Sequence, residues 1–283
     1  MSTIVSQEEQ EQIRAYYKSR PMTVSEVTKK FGYCTQTVIK ILGDIPRYTK
    51  TQLWSPDLRE DFFECIDTEE KAYFLGLMIT DGNVFKANDH RASISFTLDD
   101  ADAYLLEYWR QCVNATTVIS HDGRGCSQHA LRSLKMANDL AKYGVVPRKT
   151  LHAYLPTIED ESQMRHLIRG LIDGDGGIYA YLPDNSTKYR HKITLCGTRA
   201  LMEGVVEYIT PVLQLSFKPK VYSYSNRPLS EFRVSNVQDM NKLGDWLYKG
   251  ATVYMDRKYQ RFLEFQRHYG IANTEVSRQI TKG

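Results

Sequence analysis

Phe74-Leu-Gly-Leu-Met-Ile-Thr-Asp-Gly82 and Ile168-Arg-Gly-Leu-Ile-Asp-Gly-Asp-Gly176 are the two stretches whose reading decides the fold. Each is an apolar helix with small residues four apart, Gly76 with Thr80 and Gly170 with Gly174. Side chains normally hold helix axes about 8–10 Å apart, so a small face on each helix predicts unusually close packing of the two. Gly82 and Gly176 stand just past the helix ends, where a left-handed cap favours glycine. Asp81 and Asp175 then fall at the last turn of each helix, where partial negative charge and unpaired carbonyls make a carboxylate unfavourable by about 0.3–1 kcal/mol. A hard divalent cation relieves that cost. It would draw on the carboxylates of Asp81 and Asp175 and the carbonyls of Thr80 and Gly174, keeping water at its other positions. A cation held in that way suits hydrolysis of a phosphodiester.

Working outward, the chain repeats itself. Helices expected at 69–81 and 160–175 each lead into a strand (83–86; 177–181), a loop and a second strand (91–98; 190–196). A helix follows (102–113; 198–209), then a strand pair (117–121 with 129–134; 220–224 with 231–235) and further helix. Two αββαββα copies make a tandem α+β fold. Val118-Ile-Ser-His matches Val221-Tyr-Ser-Tyr, and Leu131-Arg-Ser matches Phe232-Arg-Val. The strands alternate: Ala92, Ile94, Phe96 and Leu98 oppose Arg91, Ser93, Ser95 and Thr97, while Ile193 and Leu195 oppose Arg190, Lys192 and Thr194. One apolar face goes to helices and leaves a basic-polar face for a partner. With Lys86, Arg132, Lys220 and Arg233 on neighbouring strands, Arg91, Ser93, Ser95, Arg190, Lys192 and Thr194 are the candidate nucleic-acid contacts.

Residues 6–45 read as short helices: Gln7 to Lys18, a break at Pro21, a helix from the Thr23 cap through Val24, Val27 and Phe31, a stop at Gly32, and a helix holding Val38, Ile41 and Leu42. This pattern resembles a helix-turn-helix, departing at Thr28 where the helix crossing usually takes alanine. The last helix would present Thr35, Gln36, Thr37 and Lys40 to a major groove.

The net charge of +3 hides segregation. Six basic residues face two acids between Arg20 and Lys50, seven acids face one base between Asp57 and Glu70, and seven bases face two acids between Ser186 and Arg227. Separate basic surfaces suit phosphate binding. No run reaches the eighteen apolar residues of a membrane span. Five scattered cysteines, an odd number, fit free thiols in a reducing cytoplasm, and the N-terminus lacks a signal-peptide pattern. His121, Cys126 and His129 lie close together, but no second pair has zinc-site spacing.

The two helical segments resemble the nine-residue LAGLIDADG motif of homing endonucleases. The second copy is close; in the first, Ile79 stands where the motif has its first aspartate. Two motifs 94 residues apart, each heading one repeat, carry the resemblance over about residues 68–268. It implies two pseudo-symmetric halves forming a DNA-binding saddle of two four-stranded sheets, and an enzyme using Mg²⁺, with Mn²⁺ or Ca²⁺ as other occupants. Asp81 and Asp175 would each serve the cutting of one strand of a long duplex target, at cuts flanking a four-base step. Lys149 and Lys258, late in each half, would approach the scissile phosphates. The implied layout is a helix-turn-helix at 1–50, an acidic connector at 51–67, halves at 68–158 and 159–270, and a tail at 271–283. The implied protein is monomeric, with double-stranded DNA as partner and no obligate protein partner, working in the cytoplasm of a bacterial or phage-infected cell. An intron maturase or an inactive transcription regulator on the same scaffold are the rivals; retention of both acids disfavours them.

Overall fold

A computed structural model describes residues 5–20, 22–48, 57–183 and 186–271. Pro21, Lys50, the 51–56 start of the connector and residues 272–283 of the tail lie outside these described residues. The chain divides into two compact units: residues up to 59 with 113–116, and 60–112 with 117 onward.

The first unit holds α1 (Gln7–Ser19), α2 (Val24–Phe31) and α3 (Thr35–Leu42). Ser6 and Thr23 close capping boxes with Glu9 and Glu26, satisfying the free amides at the starts of α1 and α2. Gly32 adopts φ +76°, the left-handed turn that a side chain resists, and so ends α2. Ile13, Tyr17, Met22, Val27, Val38, Ile41 and Leu42 form the core. Thr28 turns its hydroxyl back to the Ser25 carbonyl, 2.7 Å away.

In the second unit the first half runs α4 (Glu69–Thr80), β1 (Gly82–Asn88), β2 (Arg91–Asp99), α5 (Ala103–Cys112), β3 (Ser120–His121), β4 (Cys126–Leu131) and α6 (Leu134–Lys142). The second half runs α7 (Met164–Asp175), β5 (Gly176–Tyr181), β6 (Arg190–Gly197), α8 (Arg199–Val212), β7 (Val221–Ser223), β8 (Ser230–Val234), α9 (Val237–Tyr248) and α10 (Asp256–His268). The tandem α+β fold expected from the repeat is present. Each half has one antiparallel four-stranded sheet, in the orders β1-β2-β4-β3 and β5-β6-β8-β7. Ala92, Ile94, Phe96 and Leu98 are buried, and Trp109 of α5 packs on Phe96 and Phe74 at ring distances of 5.1 Å each. Ile193, Leu195, Phe232 and Val234 are the buried counterparts in the second sheet. The acidic segment is more than a connector. Phe62 and Phe63 are buried against Trp109, and Glu64 and Asp67 pair with Lys135 and Lys71.

Register corrects one sequence match. Ile94 pairs with Leu131 and Ile193 with Val234, so Leu131 corresponds to Val234 rather than Phe232. Arg132 thus lies beyond the end of β4, while Arg233 is inside β8, level with Ala130. A shift of two preserves strand alternation, so the pattern alone cannot detect it. Cys126 and His129 also part company: three positions along β4 places them on opposite faces, and the buried His129 ring meets Thr117 at 2.8 Å.

Candidate active site and outer sheet faces

Helices α4 and α7 touch backbone to backbone. A Cβ at Gly76 would fall on the Leu167 carbonyl oxygen and lie 2.9 Å from the Leu171 nitrogen. A Cβ at Gly170 would fall on the Tyr73 carbonyl oxygen and lie 2.9 Å from the Leu77 nitrogen. The reciprocity is that of a pseudo-twofold axis between the halves. One turn on, Gly174 lies against Thr80, and a Cβ there would be 2.7 Å from Asp81 Oδ2. The expected small faces are therefore what lets the two helix ends meet. The glycine caps differ from expectation. Gly176 is extended (φ −93°, ψ −178°), and Gly82 is absent from the positive-φ glycines. Glycine is required there for space: a Cβ at Gly176 would stand 2.6 Å from the Ile172 oxygen and 2.8 Å from the Thr194 oxygen.

Asp81 is the half-buried C-cap of α4, and Asp175 is the last residue of α7, its side chain reaching solvent. Burial, then the charge of Asp175, pushes the Asp81 carboxyl up to about 6. The crowded helix ends withhold enough water to push Asp175 up as well, against the pull of Lys149 and Lys258. Both lysines are buried, and they face the helix ends rather than solvent. Lys149 Nζ donates to the Thr80 carbonyl (3.3 Å) and the Gly82 carbonyl (2.6 Å). Lys258 Nζ donates to the carbonyls of Ile172 (2.9 Å), Asp173, Gly174 (3.0 Å) and Gly176 (2.8 Å). Each ammonium thus satisfies the orphan carbonyls of its own half's helix and offsets that helix's negative end. Their influence on the acids is crossed. Among the lysines, Lys258 lowers Asp81 more than Lys149 does, and Lys149 lowers Asp175 more than Lys258 does. Burial pulls Lys258 down to about 8 and lowers Lys149 too.

Two results follow. Because the folded Asp81 binds a proton more tightly than the ordinary value of 3.8, the metal-free protein should gain stability from this group as pH falls from about 6 to about 4, with that gain lost as pH rises back through 6. Replacing Lys258 with Met should raise the Asp81 value above about 6, read by carbon-13 titration of its carboxyl; an unchanged or lower value would contradict the crossed arrangement.

The oxygen donors here (two carboxylates, with the Thr80 and Gly174 carbonyls beside them) suit a hard divalent cation. Among the described residues no three His, Cys, Asp or Glu side chains gather as a metal cluster. Water and a ligand's oxygens would have to complete the shell.

The motif's other acid was passed over in the sequence. Asp173 is fully buried and accepts from Tyr73 OH (3.0 Å), Tyr248 OH (2.8 Å) and Met255 N (2.8 Å). Arg169, also buried, pairs with Glu69 at 2.6 Å across the halves.

The outer faces of the sheets gather most, but not all, of the remaining candidates. Arg91 is exposed, and Ser93 and Ser95 are half-buried on the outer face of β2. Lys86 stands apart. It pairs with Ala92 on the side bearing Val84 and Ile94, and its ammonium lies 3.6 Å from Asp89. In the second sheet Arg190 is exposed, while Thr194 is only 4 % exposed, correcting its place on an open face. Its register partners are Gly177 and Arg233, and the Tyr179 ring lies across Gly177. Lys192 sits over the rings of Tyr179 (5.7 Å) and Tyr181 (5.5 Å), and Lys220 over Tyr222 (5.5 Å). Arg233 lies over Tyr222 (5.1 Å) and is ion-paired with Glu231 at 2.7 Å. These tyrosines were missed because strand alternation ranks them as generic polar-face residues; 19 tyrosines in the chain were the available signal. In the first unit Thr35, Gln36 and Lys40 are exposed on α3, and Thr37 is half-buried with Cys34 Sγ 3.2 Å from its hydroxyl.

No protein-family model matches the chain, and no curated protein matches it. Solved structures do. The I-SmaMI LAGLIDADG homing endonuclease bound to cleaved DNA aligns at 13% identity over 69% of this chain and 87% of that one, with a TM-score of 0.52. The I-LtrWI LAGLIDADG homing endonuclease bound to target DNA aligns at 11% identity over 75% and 96%, with a TM-score of 0.51. I-SmaMI bound to uncleaved DNA in the presence of calcium ions aligns at 13% over 75% and 96%, with a TM-score of 0.50. The fold of the chain is that of the LAGLIDADG homing endonucleases. Among the described residues no helix is long and apolar enough to cross a membrane.

Proposed function

We propose, with that shared fold as the premise, that the chain is a site-specific endonuclease that cuts both strands of a long double-stranded DNA with a divalent cation, acting as a single chain. The observation that carries this reading is the meeting of Asp81 and Asp175 at the ends of two helices in backbone contact, with burial raising both carboxyls. A pair of close carboxylates held at partial cost is poised to exchange protons for a cation. Cation uptake should therefore strengthen as pH rises through about 6. Asp81 and Asp175 would hold Mg²⁺, or Mn²⁺ or Ca²⁺ in its place, with the carbonyls of Thr80 and Gly174 at hand; when bound, the ion supplies Lewis-acid activation of water and neutralisation of phosphate charge. I-SmaMI has been seen bound to uncleaved DNA in the presence of calcium ions, a hard divalent cation of the kind proposed here.

The chain's own residues do the rest. Lys149 and Lys258 hold the helix ends and, from behind, favour the ionised carboxylates. Arg91, Ser93 and Ser95 on one sheet, and Arg190, Lys192, Lys220 and Arg233 on the other, would meet phosphates and base edges. Tyrosine rings under Lys192 and Lys220 fix those ammoniums before binding, reducing the ordering cost. Thr35, Gln36, Thr37 and Lys40 on α3 would add contacts in a major groove, as in a helix-turn-helix.

The test is selection of cleaved ends from a randomised duplex library with Mg²⁺. The full chain should return one long recurrent target with staggered ends and nothing in EDTA. A chain lacking residues 1–50 should return a target shorter at one end. Ends without a recurrent sequence would remove the site-specific reading, DNA left intact would remove the nuclease reading, and an unshortened target would remove the DNA role of α3.

A further inference from the structure

The two halves hold their lysines differently. In the second half, Lys258 lies one turn into α10, whose N-cap is Met255. The Met255 amide donates to Asp173 at 2.8 Å, and the Asp256 amide donates to Tyr104 OH at 2.6 Å. The same Tyr104 hydroxyl donates to the Tyr254 carbonyl at 3.1 Å. Arg257 Nε meets the buried Asp102 at 2.9 Å, and Glu69 accepts from the Thr252 and Val253 amides at 2.7 and 3.2 Å. Residues 252–257 are thus tied by Asp173 of their own half and by Glu69, Asp102 and Tyr104 of the other.

The first half keeps the matching arginine, Arg148 for Arg257, but lacks the acid and one of the amides. Ile79 occupies the position of Asp173, and Pro147, which has no amide hydrogen, that of Asp256. Arg148 sits at φ +61°, and Lys149 reaches two carbonyls where Lys258 reaches four. Among the described residues no hydrogen bond from the second half holds residues 146–151.

We propose that Asp173 and Tyr104 are positioning residues that fix Lys258, making the two half-sites unequal, so that loosening this clamp slows cutting of one strand only. The proposal rests on the nuclease reading for its effect on strands, but the clamp itself can be measured without DNA. Asp173→Asn and Tyr104→Phe test it together. Asp173 is fully buried and its variant could fold poorly, whereas Tyr104 is 39% exposed and loses a single hydroxyl. In the free protein, amide exchange over 255–259 should quicken at least about tenfold in both variants, with 146–151 unchanged. On the selected target in a supercoiled plasmid, both should accumulate nicked circles at least about tenfold above wild type, and the slow strand should be the one slowed by Lys258→Met, not by Lys149→Met. A loss of stability alone would slow both strands alike. Unchanged exchange at 255–259 overturns the proposal, as does quickened exchange with a wild-type strand ratio. A wild-type chain that leaves every DNA intact would instead remove the nuclease reading, a result distinct from anything the exchange measurement shows.

Discussion

Gly170→Ala should destabilise the second unit by at least about 2 kcal/mol, although alanine is the better helix former. Propensity alone favours alanine by about 1 kcal/mol in a helix interior. Against this, the added methyl would fall on the Tyr73 carbonyl oxygen and lie 2.9 Å from the Leu77 nitrogen, both backbone atoms of the facing helix. Backbone cannot rotate aside as a side chain can, so α4 and α7 must separate along their shared seam. Overpacking typically costs about 1–3 kcal/mol and occasionally more; a clash with unyielding backbone on the facing helix belongs at the top of that range, so packing outweighs propensity. Gly76→Ala should behave alike, by reciprocity. The measurement is urea unfolding, with the midpoint falling at an unchanged slope. A stabilised Gly170→Ala would mean that the helices do not meet backbone to backbone.

Asp81→Asn or Asp175→Asn should each lower double-strand cleavage of the selected target by roughly 10³-fold, equivalent to several kcal/mol of lost metal-assisted stabilisation of the transition state. Affinity for the uncut target should change far less. The sheet faces carry the phosphate and base contacts in this account, and neither aspartate belongs to them. Cleavage and binding assays on the same preparation separate the two effects. A variant that cuts both strands at the wild-type rate would remove its aspartate from the site.

Much of the second unit was legible in the sequence because its main constraints are local and periodic. Strand alternation placed Ile94, Phe96, Ile193 and Leu195 inside. Small residues four apart placed the seam at Gly76 and Gly170. What escaped depends on partners distant in the chain. A two-residue register shift leaves alternation intact, so Arg132 and Arg233 looked equivalent when only Arg233 lies within its strand. Thr194 has the right parity for an open face but is closed off, which no single strand reveals. Asp173 drew no role from the motif, whose later acid carries the chemistry by resemblance; its partners Tyr73, Tyr248 and Met255 lie 75 to 100 residues away. The resemblance implies that Lys149 and Lys258 approach phosphates, and only the folded chain shows them bound to carbonyls at the helix ends.

The most direct test of a shared acidic site uses thermal melts of wild type, Asp81→Asn and Asp175→Asn, first in EDTA and then across a Mg²⁺ series. Without metal, the wild type carries two crowded carboxylates at helix ends where burial disfavours their charge. Neutralising one should leave stability unchanged or raise it, by about 1 kcal/mol for Asp81. Added Mg²⁺ should then stabilise the wild type by mass action and each variant less. Clear destabilisation of both variants in EDTA, with the same Mg²⁺ response in all three proteins, would contradict the account.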